Sequence, residues 1–225
     1  MYRIIFFVFI SLFSFAQNTT DELGSKQGKW IQNHQNGTIR YEGTFVDDRP
    51  DGLFLHYTET GQLKANMEYF NLGTSASTRL YHPNGKVSAV GLYQNELKDQ
   101  LWKYYDETGQ LIRDEHYKNG QLEGETILYY PNGSIFQKST YINNQKQGVQ
   151  QQFYTNGTIR LFCHYKDNKL DGTYTLYYSD GVKNYQGQYV NDLKQGVWKY
   201  YKSDATLDYQ VDYDNSIPQN TLNDE

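Results

Sequence analysis

The feature that most constrains this chain is a repeat of 24 residues. Its first glycine series is Gly28, Gly52, Gly124, Gly148, Gly172 and Gly196, with Ala76 and Gln100 in the two remaining slots. We number repeat positions from this series, which is position 0. At position 9 stand Gly37, Gly61, Gly85, Gly109, Gly133, Gly157 and Gly181, with Ala205 in the eighth place. Self-similarity at a fixed period is the signature of repeat architectures, so the sequence predicts eight tandem repeats over residues 28–213.

Two aromatic series follow the same 24-residue period, and a turn is expected between one series and the next. Position 5 holds Tyr57, Tyr81, Tyr105, Tyr129, Phe153, Tyr177 and Tyr201, and position 17 holds Phe45, Tyr69, Tyr93, Tyr117, Tyr141, Tyr165, Tyr189 and Tyr213. Between them lie segments such as Pro131-Asn132-Gly133, and Asn-Gly supplies the positive backbone φ that hairpin turns require. The position 9 glycines are therefore expected to be structural. A second turn such as Lys118-Asn119-Gly120 joins one hairpin to the next.

A single β-hairpin is marginally stable in water, so the hairpins must stack to form a core. The predicted fold is all-β, an elongated repeat protein whose stacked antiparallel hairpins form one long twisted sheet. Pairing Tyr129 with Ile135 across the turn predicts that positions 5, 11 and 17 share one face, with Trp30, Trp102 and Trp198 (position 2) on the other. Tyr contributes 23 residues while the mean hydropathy is only −0.83, which fits a thin sheet covered by tyrosine rings.

The two ends of the chain do not follow the repeat. Residues 1–16 combine Arg3 with a short apolar run and end in Ser14-Phe15-Ala16, which predicts a secretory signal peptide cleaved near Ala16-Gln17. A retained N-terminal anchor is the alternative. Residues 17–27 are an expected lead-in and residues 214–225 an expected flexible acidic tail. The chain is therefore expected to be secreted or to reside in the periplasm or cell envelope, with no transmembrane segment after cleavage.

Most of the tyrosines are expected to be structural, so only some aromatic residues are candidates for binding. The candidates are the tryptophans and the surplus tyrosines at positions 4 and 6, which we expect to be exposed: Trp30, Trp102, Tyr104, Tyr130, Tyr154, Tyr178, Trp198 and Tyr200.

The sequence predicts no catalytic residue, no metal site and no cofactor. His34 and His82 share one repeat position, and His116 and His164 share another, but members of a pair are two repeats apart, about 19 Å by strand spacing. Cys163 is the one cysteine of the chain, and the neighbouring His164 would point to the other side of a strand. An acidic group in the fourth repeat and at its borders could bind a cation or a basic partner, or be a solvated surface: Asp99, Asp106, Glu107, Asp114, Glu115, Glu123 and Glu125.

Segments such as 148–165 and 172–189 resemble the bacterial variant of the MORN repeat, with its Gly, aromatic, Tyr, Asn-Gly turn and second Tyr. The resemblance covers roughly residues 24–213. It implies stacked hairpins and a scaffold or recognition surface for proteins or lipids, without catalytic residues. Some bacterial members are labelled antitoxin components, a label that the predicted signal peptide puts in doubt here.

Two hypotheses on function follow. The first is an exported, non-catalytic protein-binding scaffold or recognition module, whose partner is another protein of the envelope or the extracellular space. The alternative is a cell-envelope glycan-binding protein that uses exposed Tyr and Trp. A net charge of −5 disfavours nucleic acid as a partner.

Overall fold

The structure is a computed structural model that describes residues 17–222, with side chains up to residue 219. Every regular element in this range is a β-strand, which confirms the all-β prediction. The strands are β1 (Thr19–Thr20), β2 (Lys26–Asn33), β3 (Ile39–Val46), β4 (Arg49–Tyr57), β5 (Leu63–Phe70), β6 (Ser75–Tyr81), β7 (Val87–Gln94), β8 (Leu97–Tyr105), β9 (Leu111–Lys118), β10 (Gln121–Tyr129), β11 (Ile135–Ile142), β12 (Gln145–Phe153), β13 (Ile159–Lys166), β14 (Lys169–Tyr177), β15 (Lys183–Val190), β16 (Leu193–Tyr201), β17 (Leu207–Asp214) and β18 (Ile217–Leu222).

The chain divides after Gly73 into two compact units. In the first unit, β1 to β5 pair antiparallel, each with the next. In the second unit, β6 to β18 do the same. Both units are stacks of antiparallel hairpins, as the repeat predicts.

The turn within each hairpin depends on the glycine at position 9. In β10–β11 the Tyr130 amide donates to the Ser134 carbonyl at 2.8 Å, and the Gly133 amide donates to the Tyr130 carbonyl at 2.9 Å. The seven glycines of this series have φ between 81° and 92°, a backbone conformation that other residues rarely adopt. Ala205 adopts a φ of 69° at the equivalent place.

The turn between hairpins contains two residues with positive φ, such as Asn143 (49°) and Asn144 (65°). This is the type I′ geometry that Asn and Asp favour. The Asn144 amide also donates to the Leu122 carbonyl at 3.1 Å, and its Oδ1 accepts from the Leu122 amide at 2.7 Å. The same pair of hydrogen bonds joins Asn168 to Lys146 and Asp192 to Leu170. Each of these turns therefore fixes the start of the second strand of the preceding connection, as the turn at Asn144 fixes the start of β10.

A β-bulge beside the first turn determines which residues share a face. Tyr129 pairs with Ile135, as predicted, but Leu128 pairs with Gln137, so Phe136 at position 12 is left without a partner. All eight hairpins carry this shift. The extra residue reverses the alternation of side chains. The prediction that position 17 lies with positions 5 and 11 is therefore wrong.

Two faces result, and we name them by their contents. The aromatic face carries positions 2, 4, 13, 15 and 17, together with the residue two places before position 0, which we call position −2. The opposite face carries positions 1, 3, 5, 11, 14 and 16. Directly opposed residues of paired strands share a face, and the contact of Trp102 (position 2) with Tyr93 (position 17), at 4.9 Å between ring centroids, agrees with this division.

The best-buried layer lies on the aromatic face and depends on matched sizes. Phe54 in the first unit, and Trp102 and Trp198 in the second, each lie flat against a glycine at position 15 of the preceding strand: Gly43, Gly91 and Gly187 respectively. A Cβ atom built on any of these glycines would overlap the ring. Where position 2 is smaller or flexible, position 15 carries a side chain, as in Ser139 opposite Gln150, whose side chains are hydrogen-bonded at 3.1 Å.

The ends of the chain differ from prediction in one respect. The expected flexible tail at 214–225 is wrong for Ile217–Leu222, which form β18 and pair with β17. The reason is that Asn215-Ser216 forms the same two-residue turn as the earlier repeats, with the Lys194 amide donating to Ser216 Oγ at 2.7 Å. The predicted signal peptide (1–16) and residues 223–225 lie outside the described residues. Within 17–222, no helix has the length and apolar character needed to cross a membrane.

Candidate functional site

Two equivalent side-chain clusters lie on the aromatic face of the second unit, separated by 96 residues. The first cluster comprises Lys98, Trp102, Tyr104, Arg113, Glu115 and Tyr117. The second cluster comprises Lys194, Trp198, Tyr200, Tyr209, Val211 and Tyr213. Four members of each occupy the same repeat positions with the same residue type, on the strand pairs β8–β9 and β16–β17. The repeat thus places one arrangement of a lysine and aromatic rings at two points of one sheet face.

In the first cluster the lysine ammonium is held among three rings. Lys98 Nζ lies 4.8 Å from the centroid of Trp102 and 5.0 Å from those of Tyr104 and Tyr117. It also donates to the Tyr104 hydroxyl at 2.6 Å. Burial lowers the pKa of Lys98, an effect that Glu115 opposes and Arg113 reinforces. The result is a cation in a fixed place, stabilised by cation–π contacts.

The second cluster repeats this geometry. Lys194 Nζ lies 4.3 Å from the Trp198 centroid and 4.7 Å from that of Tyr213. Its contact with the Tyr200 hydroxyl is longer, at 3.3 Å. Burial, followed by the hydrogen bond with Tyr213, raises the pKa of Tyr200 above its usual range.

The first cluster contains an ion pair that the second lacks. Arg113 Nε lies 3.2 Å from Glu115 Oε1, and the Tyr117 hydroxyl donates to Glu115 Oε2 at 2.7 Å. The Arg113 guanidinium also lies 4.3 Å from the Tyr104 ring centroid. In the second cluster Tyr209 takes the place of the arginine and stacks on Tyr200 at 4.5 Å, with ring planes 11° apart.

The expectation that all the candidate aromatics are exposed is wrong for two of them. Trp102 and Trp198 are 0% exposed, because the glycines at position 15 let each indole lie against the neighbouring backbone. Their Nε1 groups donate to the Leu92 carbonyl at 3.0 Å and the Gln188 carbonyl at 3.2 Å. Neither indole presents a ring face to a ligand.

The three candidates at position 6 are half-buried and tie one hairpin to the next. The hydroxyl of Tyr154 donates to the Tyr177 carbonyl at 2.7 Å, and Tyr130 and Tyr178 make the equivalent bonds to Phe153 and Tyr201. Histidine serves in the same way at this position: His34 Nε2 contacts the Tyr57 carbonyl at 3.1 Å, and His82 contacts that of Tyr105 at 2.8 Å. Position 6 therefore stabilises the stack of turns.

The remaining three candidates, Trp30, Tyr104 and Tyr200, are half-buried on the aromatic face. In the first unit, Trp30 Nε1 donates to the Thr19 and Gln27 carbonyls at 3.1 and 3.2 Å, and Lys26 Nζ lies 5.1 Å from its ring. Tyr104 and Tyr200 belong to the two clusters of the second unit.

Sequence reasoning missed Lys98, Lys194, Arg113 and Glu115 as members of these clusters. The signal that could have found them is a second, longer period. Residues 97–105 read LKDQLWKYY and residues 193–201 read LKQGVWKYY, four repeats apart. The 24-residue period is common to all eight repeats and so does not distinguish these two.

The opposite face carries shallow depressions behind the same glycines. The largest, about 470 Å³, lies behind Gly91 and includes Arg79, Val90, Leu101 and Lys103 in its lining. Smaller ones of about 220 Å³ and 200 Å³ lie behind Gly43 in the first unit and Gly187 in the second.

Near Gly91 the opposite face also contains a buried carboxylate. Asp114 Oδ2 accepts from Lys103 Nζ at 2.8 Å and from the Tyr129 hydroxyl at 3.1 Å. Burial and then the Asp114 charge raise the pKa of Tyr129 to about 12. These contacts join three successive strands, β8, β9 and β10, so we interpret them as structural.

The structure also places the residues considered for chemistry. Cys163 is fully buried, and burial raises the pKa of its thiol to about 11, which disfavours the reactive thiolate. The acidic group of the fourth repeat is dispersed, since Asp114 and Glu115 lie on opposite faces and Asp106 caps a turn. Among residues 17–222, no three His, Cys, Asp or Glu side chains are grouped as metal ligands would be.

A known family has repeats that match this chain with the spacing of these hairpins. Seven segments match the family described as the MORN repeat variant, at residues 26–47, 50–71, 77–95, 101–119, 122–143, 146–167 and 170–191, which together are more than half of the chain. The chain belongs to this family. The hairpin β16–β17, which carries the second cluster, lies beyond the matched MORN segments but has the same register.

Solved structures with partial similarity to this MORN protein are much larger. A GtfA/B complex bound to UDP and GlcNAc is 16% identical, with 57% of this chain and 20% of that chain covered and a TM-score of 0.18. A TcdB2-TccC3 structure is 13% identical, with 91% and 15% covered and a TM-score of 0.24. Its complex with Cdc42 is 14% identical, with 86% and 13% covered and a TM-score of 0.21. The chain therefore spans a fifth or less of these structures, and no curated protein matches it.

Proposed function

We propose that this MORN protein is an exported, non-catalytic scaffold or recognition module that binds another protein through the aromatic face. The observation that supports it is the repetition of one cluster at Lys98 and at Lys194 on the same face, with matching ring contacts. An array of equivalent contacts suits binding to an extended surface, because many modest contacts add up across it.

The composition of the clusters also supports a protein partner. Tyr, Trp and Arg are the residues that contribute most at protein interfaces, because their large side chains lose little conformational freedom on binding. Tyr104, Tyr117, Tyr200 and Tyr209 are half-buried, so part of each ring is available while its position is fixed by neighbours.

Glycan binding through exposed Tyr and Trp is less well supported. Stacking of sugars needs an accessible ring face, and the indoles of Trp102 and Trp198 are buried. Glycan binding would be favoured if titration with an envelope polysaccharide changes the tyrosine fluorescence and titration with envelope protein fractions does not.

Export is proposed from residues 1–16 alone. Fractionation of cells that express the full chain fused to a reporter checks it: we expect the reporter outside the cytoplasm, and an Ile5→Arg, Val8→Arg variant should keep it inside. A reporter that stays cytoplasmic with the natural segment contradicts export.

Protein binding is tested by capture followed by reconstitution. Immobilised residues 17–225 would be exposed to envelope extract, and each captured protein would be purified and titrated calorimetrically against the free chain. We expect a saturable complex that a Tyr104→Ser, Tyr200→Ser variant weakens more than a Tyr57→Ser, Tyr81→Ser variant of the opposite face. A complex affected equally by both pairs, or none at all, contradicts the proposal.

A further inference from the structure

The residues at position −2 form a row on the aromatic face of the second unit. From the first cluster to the second they read Lys98, Leu122, Lys146, Leu170 and Lys194, so a lysine and a leucine alternate. All five are half-buried. Successive members are two strands apart, about 10 Å at the usual strand spacing, so the lysines recur about every 19 Å.

Each lysine of this row is held in a fixed position. Lys146 Nζ lies 4.9 Å from the Tyr165 centroid and donates to Gln150 Oε1 at 2.9 Å. Lys98 and Lys194 are held in the same way by the aromatic rings of their clusters and by the hydroxyls of Tyr104 and Tyr200 respectively. An ammonium has three donors, and these contacts use one hydrogen bond each. A cation whose position is already fixed loses little entropy when an acidic group binds it.

The charge of this face is opposite to that of the whole chain. Within residues 74–219 the charged residues at the positions that define the aromatic face are the cations Lys98, Arg113, Lys146 and Lys194 and the anion Glu115. A second anion, Asp192, lies beside the row, where its carboxylate accepts from the Leu170 amide at 2.7 Å. The chain as a whole has a net charge of −5. An acidic partner is therefore attracted to this face and is repelled by the remainder of the molecule.

We propose that the position −2 row binds an extended acidic segment of a partner protein in which acidic and apolar residues alternate. This rests on the proposed protein-binding function and specifies its partner. A chain in the polyproline II conformation advances about 3.1 Å per residue and brings every third side chain to the same face, so steps of about 10 Å call for an acidic residue, then an apolar one three residues later, and so on. Leu122 and Leu170 distinguish this partner from a uniform polyanion, because they would oppose a charge at every second step.

The test uses the full mature chain and synthetic peptides. The probe is an 18-residue peptide of three Glu-Thr-Ser-Leu-Thr-Ser units, and the control peptide has the same composition with the glutamates adjacent to one another. We expect the alternating peptide to bind about tenfold more tightly than the clustered one, and its affinity to fall as salt is raised. Equal affinity for both peptides, or none for either, would overturn the proposal.

A matched pair of triple variants locates the binding. K98M/K146M/K194M removes three charges from the row, and R79M/K183M/K199M removes three from exposed residues of the opposite face. We expect the first to weaken the alternating peptide about tenfold and the second by less than about threefold. Equal losses would show that only net charge matters and would overturn the proposal. Circular dichroism of both variants confirms that each is folded before it is titrated.

Two further arms separate the partner class. Tighter binding to polygalacturonate, or to vesicles containing an anionic phospholipid, than to the alternating peptide would overturn the proposal in favour of a polysaccharide or a membrane. A reconstituted protein partner whose affinity is unchanged in K98M/K146M/K194M would also overturn it, while leaving the proposed scaffold function standing.

Discussion

The first and second clusters of the aromatic face share a framework and differ at two positions. Each has a lysine over a tryptophan and two tyrosines, but position 13 is Arg113 in one and Tyr209 in the other, and position 15 is Glu115 in one and Val211 in the other. In the first, Arg113 and Glu115 form an ion pair at 3.2 Å; in the second, Tyr209 stacks on Tyr200 at 4.5 Å. Positions 13 and 15 thus accept either an ion pair, Arg113 with Glu115, or the uncharged pair Tyr209 with Val211.

The shared part of the clusters depends on glycine. Gly91 and Gly187 stand at position 15 of the strand before each cluster, and the indoles of Trp102 and Trp198 occupy the space that a Cβ would need. The framework is therefore specified by a pair of residues on adjacent strands, while the variable positions decide the chemistry that the cluster presents.

The largest effect is expected when that framework is disturbed. Gly91→Ala should destabilise the protein by about 3 kcal/mol, because the new methyl group overlaps the Trp102 ring and the backbone must move. Gly187→Ala should do the same through Trp198. Urea unfolding followed by tryptophan fluorescence measures both changes.

A second substitution tests the cause of this loss. Natural repeats place a threonine opposite a side chain at position 15, as in Thr126 opposite Glu115. Gly91→Ala with Trp102→Thr should therefore be more stable than the sum of the two single losses predicts, by about 1 kcal/mol or more. Strict additivity would mean that the ring and the methyl group do not compete for space.

The next effect concerns the ion pair of the first cluster. Arg113→Met should cost about 2 kcal/mol, since it removes the ion-pair partner of the buried Glu115 carboxylate and leaves only the more distant Lys98 charge near it. The double exchange Arg113→Tyr, Glu115→Val converts the first cluster into the second and should lie within about 1 kcal/mol of the natural protein. Thermal unfolding compares the two, and a double variant as unstable as Arg113→Met would refute the interchangeability of the clusters.

Much of this fold can be predicted from the repeat, but the assignment of residues to the two faces of the sheet cannot. The turns follow from Asn-Gly and Asn-Asn chemistry, and the pairing of Tyr129 with Ile135 follows from the turn. The bulge at Phe136 does not, because position 12 also holds Arg40, Lys64 and Ile112 and so carries no common residue type. That single extra residue moves position 17 to the face of the tryptophans.

The burial of the tryptophans also does not follow from the sequence of any single repeat. Trp102 is buried because Gly91 stands on the preceding strand, so its environment depends on a residue in another repeat. The pattern is nevertheless present in the sequence: Gly43 with Phe54, Gly91 with Trp102 and Gly187 with Trp198 are each 11 residues apart. A comparison between repeats, in place of within them, would have predicted the buried rings.

A smaller difference is expected from the tyrosine hydroxyls. Lys98 donates to Tyr104 at 2.6 Å, whereas Lys194 lies 3.3 Å from the Tyr200 hydroxyl. Tyr104→Phe should therefore cost about 1.5 kcal/mol and Tyr200→Phe about 0.5 kcal/mol, because hydrogen bonds from charged donors weaken with distance. Chemical unfolding of the two variants measures the difference, and a larger loss for Tyr200→Phe would show that the second lysine is the better bound.

The charge of Glu115 is expected to have the smallest effect on stability at neutral pH. Its effect is on the titration of the tyrosines, and only in the first cluster. Burial, and after it neighbouring groups that include Glu115, raise the pKa of Tyr104 and Tyr117 above the usual value of 10.0, and burial with Tyr213 does so for Tyr200. Because the folded state favours the neutral phenols, the stability they contribute is complete below about pH 10 and is lost as the pH rises above it. Glu115→Gln removes a charge that opposes ionisation, so tyrosinate absorbance should begin to rise at lower pH than in the natural protein. Val211→Gln is the matched change in the second cluster; it alters no charge and should leave the tyrosine titration unchanged. Equal shifts in both variants would mean that loosened packing, and not loss of the Glu115 carboxylate, causes the change in titration.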